Sequence, residues 1–253
     1  MKNIRYITCS DLREDIPPEK AIELLKISDK VELGIQAHPG AMNFGTPRMK
    51  WLVELLTISQ KLFKPLNIAI HVNYDWCSDF CRGILAGELR YLFFSENKDT
   101  GEPLIKRWQL NIGDKTRGFD ANKLSQITLN NPDREFIFPY NPGVAELISS
   151  LDKTGAAFSL LFDQSYGFGI TPQQWLPPVY SNHPQGYAGG LYGDNISLNL
   201  DKIAKLVPED YEIWIDAEGK LMIPGAFPRQ FDLDRGKDYI LQTLKWLENN
   251  KIR

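Results

Sequence analysis

The sequence predicts a single-domain α/β fold, a (β/α)8 TIM barrel over residues 1–253, and three observations predict it. Short apolar runs alternate with helix-period stretches along the whole chain, which is the pattern of parallel βαβ units. Eight such runs can be counted. The length of 253 residues is close to the roughly 250 typical of a closed barrel, and no linker or shift in composition divides it. An open doubly wound sheet competes, but eight units in this length favour closure.

Each element has its own signal. Residues 3–8 form a first strand that ends at Cys9. Pro17 and Pro18 open a helix over 19–27, since proline is tolerated in a first turn. Residues 30–36 are the second strand, followed by a Gly/Pro-rich loop over 38–47 and a long helix over 48–63 with a wide apolar face. The third strand is 66–72, and a helix is expected over 79–92. Residues 106–111 are the fourth strand, 121–126 a helix, 135–139 the fifth strand and 144–151 a helix. The sixth strand lies in FSLLFDQSYGFG (158–169), an apolar run ending abruptly in Asp163 and followed by a glycine-punctuated loop. The connection over 170–185 is rich in proline and aromatics and has no helical period. A short strand over 186–190, a helix over 195–206, the eighth strand over 211–216 and a last helix over 233–246 complete the chain.

Charge and composition exclude several classes. The net charge is −3 and the basic residues are scattered, so no phosphate-backbone groove or attraction to anionic lipid is expected. No apolar stretch approaches the roughly 20 residues of a membrane span, and the start meets charge too early for a secretory signal. Three cysteines, Cys9, Cys77 and Cys81, make a disulfide framework improbable and the cytoplasm the expected compartment. No GxGxxG or GxxxxGK[ST] follows the first strand, so no nucleotide cofactor is expected. Cys77 and Cys81 with His71 lack the ligands and spacing of a metal site.

In a barrel the chemistry sits just past the strands. Those positions hold Cys9, the loop from His38 to Arg48, Asn73 with Asp75, Asn111 with Asp114, Tyr140 with Asn141, Asp163, Gly189 with Gly190, and Asp216 to Gly219. Cys9 is either a thiol poised for acid–base work or a small buried core residue. Asp163 is either a general acid, if burial raises its pKa, or an acceptor that closes its own loop. The glycine pair in YAGGL (187–191) lets backbone amides approach an anion closely.

Taken together, these motifs resemble phosphoribosylanthranilate isomerase, a barrel enzyme of tryptophan biosynthesis. YITCS (6–10) looks like the family's first strand, TPRM (46–49) its SPR motif, IAIHVN (68–73) its third strand and QLNIGD (109–114) its fourth, with Asn111 where the family has histidine. Asp163 falls where the family has its catalytic aspartate, and AGGLYGDN (188–195) is similar to its phosphate loop. The resemblance implies a cofactor-free Amadori rearrangement of an aldose-amine to a ketose-amine. Cys9 would be the base, Asp163 the acid and Arg48 the carboxylate clamp. Asn111, Gly189, Gly190 and Gly219 would bind a phosphorylated sugar-amine substrate, in a monomer or homodimer.

Two departures bear on the substrate. DAEGKL (216–221) places Glu218 where the family has a serine beside the phosphate. A carboxylate about 5 Å from a phosphate would cost on the order of 3 kcal/mol per charge pair at an effective dielectric of roughly 20. The loops after the second, third and sixth strands are also longer than in a minimal family member. The same barrel acting on a sugar or nucleotide without the terminal phosphate is therefore a second reading. A non-catalytic small-molecule-binding barrel is a third.

Overall fold

The computed structural model describes residues 3–62, 64–85, 87–112, 119–165 and 168–251, so the expectations at Phe63, Asp114 and Gly167 lie outside the described residues. Eight parallel strands close into a barrel in chain order. They are β1 (Asn3–Ser10), β2 (Val31–Ala37), β3 (Ile68–Val72), β4 (Arg107–Leu110), β5 (Glu135–Tyr140), β6 (Ser159–Asp163), β7 (Gln185–Ala188) and β8 (Glu212–Ala217). The helices are α1 (Pro18–Leu25), α2 (Pro47–Ser59), α3 (Tyr74–Cys81), α4 (Gly87–Phe93), α5 (Ala121–Asn130), α6 (Ala145–Asp152), α7 (Gly193–Ala204) and α8 (Leu233–Lys251). None of them is long and apolar enough to cross a membrane. By internal contacts the chain falls into two compact units, residues 1–33 with 161–253, and residues 34–160.

In the 34–160 unit, β3, β4 and β5 pair in parallel with Ile70 beside Trp108, His71 beside Gln109 and Trp108 beside Phe136. Side chains alternate across a strand, so the even positions and the odd positions of β4 face opposite ways. Trp108 meets Phe80 of α3 and Phe93 of α4, with Phe136 completing an aromatic cluster between sheet and helices. The opposite face carries polar groups: Arg107, Gln109 and His71 are all buried. Arg107 and Glu135 form a two-pronged ion pair, Nε–Oε2 3.0 Å and Nη2–Oε1 3.3 Å, and Ser159 Oγ donates to the same carboxylate at 2.7 Å.

The single helix expected over 79–92 is two helices. Gly83 adopts φ +78, a left-handed conformation that closes α3, and α4 restarts at Gly87. α2 starts at Pro47, one residue before the expected 48, because Thr46 accepts a hydrogen bond from the Met49 amide and Pro47 fits the first turn. It ends at Ser59, four residues earlier than expected.

In the other unit, β8 lies between β1 and β7, with Thr8 beside Asp216, Cys9 beside Ala217 and Gly186 beside Trp214. Among the described residues no helix joins β6 to β7. Instead Trp175 of that connection packs on Phe162 and Tyr187. The Trp214 indole lies directly over Gly186, where an added Cβ would sit 2.1 Å from Cε2. Gly186→Ala is therefore expected to destabilise the protein by about 1–3 kcal/mol through overpacking. Denaturant unfolding would show a lower midpoint; an unchanged midpoint would mean that Trp214 has room to swing aside.

Candidate active site

The carboxyl ends of β1, β6 and β8, all within the unit of residues 1–33 and 161–253, gather four acidic side chains. Thr8 and Ser10 share one face of β1 and both serve carboxylates: Thr8 Oγ1 donates to Glu32 Oε1 at 2.7 Å, and Ser10 Oγ to Asp216 Oδ1 at 2.6 Å. Burial pushes the Asp216 carboxyl up to about 8, opposed by the Ser10 hydrogen bond and reinforced by the charges of Glu218, Glu32 and Asp163. Glu218 is pushed up to about 7, by burial first and then by Asp11, with Arg229 opposing. Around neutral pH two like-charged carboxyls with such values hold about one proton between them, so one can donate while the other accepts.

Arginines close this cluster. Asp11 follows β1 in a left-handed conformation, φ +67, and is buried. Arg13 grips it with two bonds, Nε–Oδ1 2.8 Å and Nη2–Oδ2 2.5 Å. Arg229 comes from a hairpin-like excursion after β8, pinned by bonds from the Ile223 amide to Gln230 O (2.9 Å) and from the Asp232 amide to Leu221 O (2.8 Å). Its Nη1 lies 3.2 Å from Glu218 Oε1 and 3.8 Å from Asp11 Oδ2. Both guanidiniums are thus already engaged by carboxylates.

The residues expected to act together are only partly gathered. Asp163 ends β6 and its Oδ1 accepts from the Ser165 amide (2.8 Å) and hydroxyl (2.7 Å), which is the loop-closing geometry. Cys9 stands beside Ala217, on the face of β1 opposite to Thr8 and Ser10. It is fully buried, and desolvation, aided by the charge of Asp216, drives its thiol well above the ordinary range, so it is protonated at neutral pH. Tyr239 of α8 is buried near it, with a hydroxyl that has no partner among the described residues.

The glycines have a packing role. A Cβ on Gly190 would lie 2.6 Å from the Thr171 amide nitrogen and 2.7 Å from Gly169 O, and one on Gly189 would lie 3.0 Å from Ile170 O. Gly169 in turn rests on Gly219, at 3.4 Å from such a Cβ. The connections after β6, β7 and β8 therefore stack backbone on backbone. Asn195 ties them further, donating to Gly190 O at 2.9 Å. At the start of α7 a Cβ on Gly193 would collide with the Asp238 carboxylate, 1.6 Å away, so an anionic group already stands at that helix end.

Arg48 and Asn111 belong to the 34–160 unit. Arg48 is buried in the first turn of α2. Asn111 joins a ladder of carboxamides at the ends of β2, β3 and β4: Asn111 Nδ2 donates to Asn73 Oδ1 (2.9 Å), and Asn73 Nδ2 to Gln36 Oε1 (2.8 Å) and to His71 O (2.7 Å). Gln109 Nε2 donates to Asn111 Oδ1 at 2.9 Å. His71 is held to about 3 by burial, with the charge of Arg107 adding, so the imidazole is neutral.

No family model matches the chain, and no curated protein matches it. Sequence reasoning missed Asp11, Ser10, Arg13 and Arg229. The acidic and basic side chains just beyond β1 were a readable signal for Asp11 and Arg13, whereas Ser10 is the last residue of β1 and its hydroxyl gave none. Arg229 had none, because its partner Glu218 lies 11 positions away in the chain.

Proposed function

We propose that this barrel is an acid–base isomerase converting an aldose-amine to a ketose-amine, acting on a sugar amine without a terminal phosphate. Its proton-transfer pair is Asp216 and Glu218, with Asp163 beside Gly189 at the rim. The reaction class rests on the resemblance to phosphoribosylanthranilate isomerase. The observation that carries the reading is the pairing of two carboxyls near neutrality, Asp216 at about 8 and Glu218 at about 7, with the nearby arginines engaged. The rearrangement needs one group to protonate the ring oxygen and another to take the C2 proton, and each such group contributes about 10²–10⁴-fold when poised. Cys9 does not serve as base in this reading, because its thiol is protonated and lies on the opposite face of β1.

Glu218, Asp11 and Asp163 disfavour a phosphate, and a hydroxyl or ammonium group suits them. Incubation of the purified protein with an N-aryl ribosylamine and with its 5-phosphate, in D2O and followed by NMR, tests both parts. Ketose-amine formation with one deuterium at C1, delivered to the enolamine from solvent, is expected from the unphosphorylated compound, and Glu218→Gln should shift or abolish the neutral pH dependence of the rate. Turnover of the 5-phosphate alone would overturn the substrate assignment, and no turnover of either would overturn the isomerase.

A further inference from the structure

In the 34–160 unit, α2 and α4 lie along a seam that is fixed at both ends. Near the start of α2, Glu88 Oε1 accepts a hydrogen bond from the Phe44 amide at 2.8 Å, and the Phe44 and Tyr91 rings meet edge to face with centroids 5.6 Å apart. At the other end Gln60 Nε2 donates to Glu96 O at 3.4 Å, and Asn97 Nδ2 donates to Gln60 O at 3.4 Å. Lys98 sits on a tight turn that Asn97 closes, its Oδ1 accepting from the amides of Asp99 (2.9 Å) and Thr100 (3.2 Å). The seam is concave on both sides of the Phe44–Tyr91 contact. One depression, of about 460 Å³, is mostly apolar and lies between Phe44, Met49 and Val53. The other, of about 590 Å³, lies between Gln60, Tyr91, Phe94 and Lys98. Thr57 lines the first and Gln60 the second, three positions apart at the end of α2, so the two depressions form one groove.

Charge distinguishes this groove from the rest of the chain, which is net −3. It is lined by three cations, Lys50, Arg90 and Lys98, and by one carboxylate, Glu54. None of the three cations has an ion pair among the described residues, and the nearby Glu96 carboxylate is taken by Arg134 at 3.6 Å. Arg90 lays its guanidinium over the Phe94 ring, 4.9 Å from the centroid. That contact uses the face of the planar group and leaves its N–H edge for a carboxylate. Phe44, Tyr91 and Phe94 are all exposed. We propose that this groove docks an acidic peptide segment of a partner protein, with an apolar residue in the depression beside Phe44 and carboxylates against Arg90 and Lys98. Charge selects an acidic partner. Concavity selects a peptide over an anionic lipid surface, which takes up a protruding apolar face. The 13 residues of α2 span about 20 Å, room for roughly six residues of extended chain. The proposal does not depend on the reaction proposed above.

Fluorescence anisotropy with a dye-tagged hexapeptide of two leucines, one alanine and three glutamates tests it, beside the same peptide with lysines for glutamates and beside phosphatidylserine vesicles. The acidic peptide is expected to bind, and to bind more weakly as salt rises, because exposed charges are screened. Arg90→Ala combined with Lys98→Ala should weaken binding about fivefold, the scale of two exposed ion pairs. Phe44→Ser should weaken it as well. All three side chains are exposed, so these variants are expected to fold. No binding of the acidic peptide at millimolar concentration, equal binding of the lysine peptide, or unchanged affinity in the double variant would overturn the proposal. Vesicle binding that the variants abolish, with no peptide bound, would overturn it in favour of a membrane. A dimer of the free protein that the variants dissociate would overturn it in favour of a second copy of this chain.

Discussion

Asp216→Asn is expected to abolish most activity while making the protein more stable at pH 8. Asn keeps an oxygen for the Ser10 hydroxyl, which donates at 2.6 Å, so the local geometry survives. The titrating proton is lost, and with it about 10²–10⁴-fold in kcat. The stability gain follows from linkage. An unfolded Asp ionises near its ordinary pKa of about 4, whereas the folded Asp216 holds its proton up to about 8. Between those values the folded state binds more protons than the unfolded, so native stability is full at low pH and falls as pH rises toward 8. The Asn variant is free of this penalty. Its melting temperature should match the native protein near pH 4 and exceed it at pH 8. An active variant would remove Asp216 from the chemistry, and one less stable at pH 8 would refute the buried, protonated carboxyl.

Glu135→Ala should cost about 3–5 kcal/mol of stability, because it leaves the buried Arg107 guanidinium without the carboxylate that binds it through two nitrogens. Ser159, whose hydroxyl donates to the same carboxylate, loses its acceptor as well. That is a large share of the 5–15 kcal/mol that holds a typical domain folded. Replacing both charges together, as Arg107→Met with Glu135→Leu, should recover most of the loss, since a desolvated ion pair is itself costly. Urea unfolding midpoints of the single and double variants measure the difference. A single variant within 1 kcal/mol of the native protein would show that other partners hold the arginine.

Much of this architecture is legible in the chain itself. Runs such as IAIHV and SLLFD are mostly apolar and buried on both sides because helices and barrel interior cover the two faces, and that reads as buried parallel strand. What the chain hides is direction. Whether Cys9 or Ser10 turns toward Asp216 depends on the register of β1 against β8, and one position decides it. Gly83 was an ordinary residue in a helical pattern until its positive φ showed the break. The glycines of YAGGL fit an anion or a neighbouring backbone equally well, and only the positions of Gly169 and Thr171 distinguish the two. The amide ladder draws Gln36, Asn73, Gln109 and Asn111 from three strands, and no local pattern announces it.

The hairpin-like excursion that carries Arg229 gives the site a separable counter-ion. It is tied to its own base by the Ile223–Gln230 and Leu221–Asp232 bonds, and it lies outside the eight strands. Changes in its length or sequence can therefore accumulate without disturbing the barrel, as surface connections generally allow. A change that removes Arg229 takes one positive charge away from Glu218 and Asp11. The charge around Asp216 and Glu218 can thus change through a single exchangeable segment while the strand that positions them stays as it is.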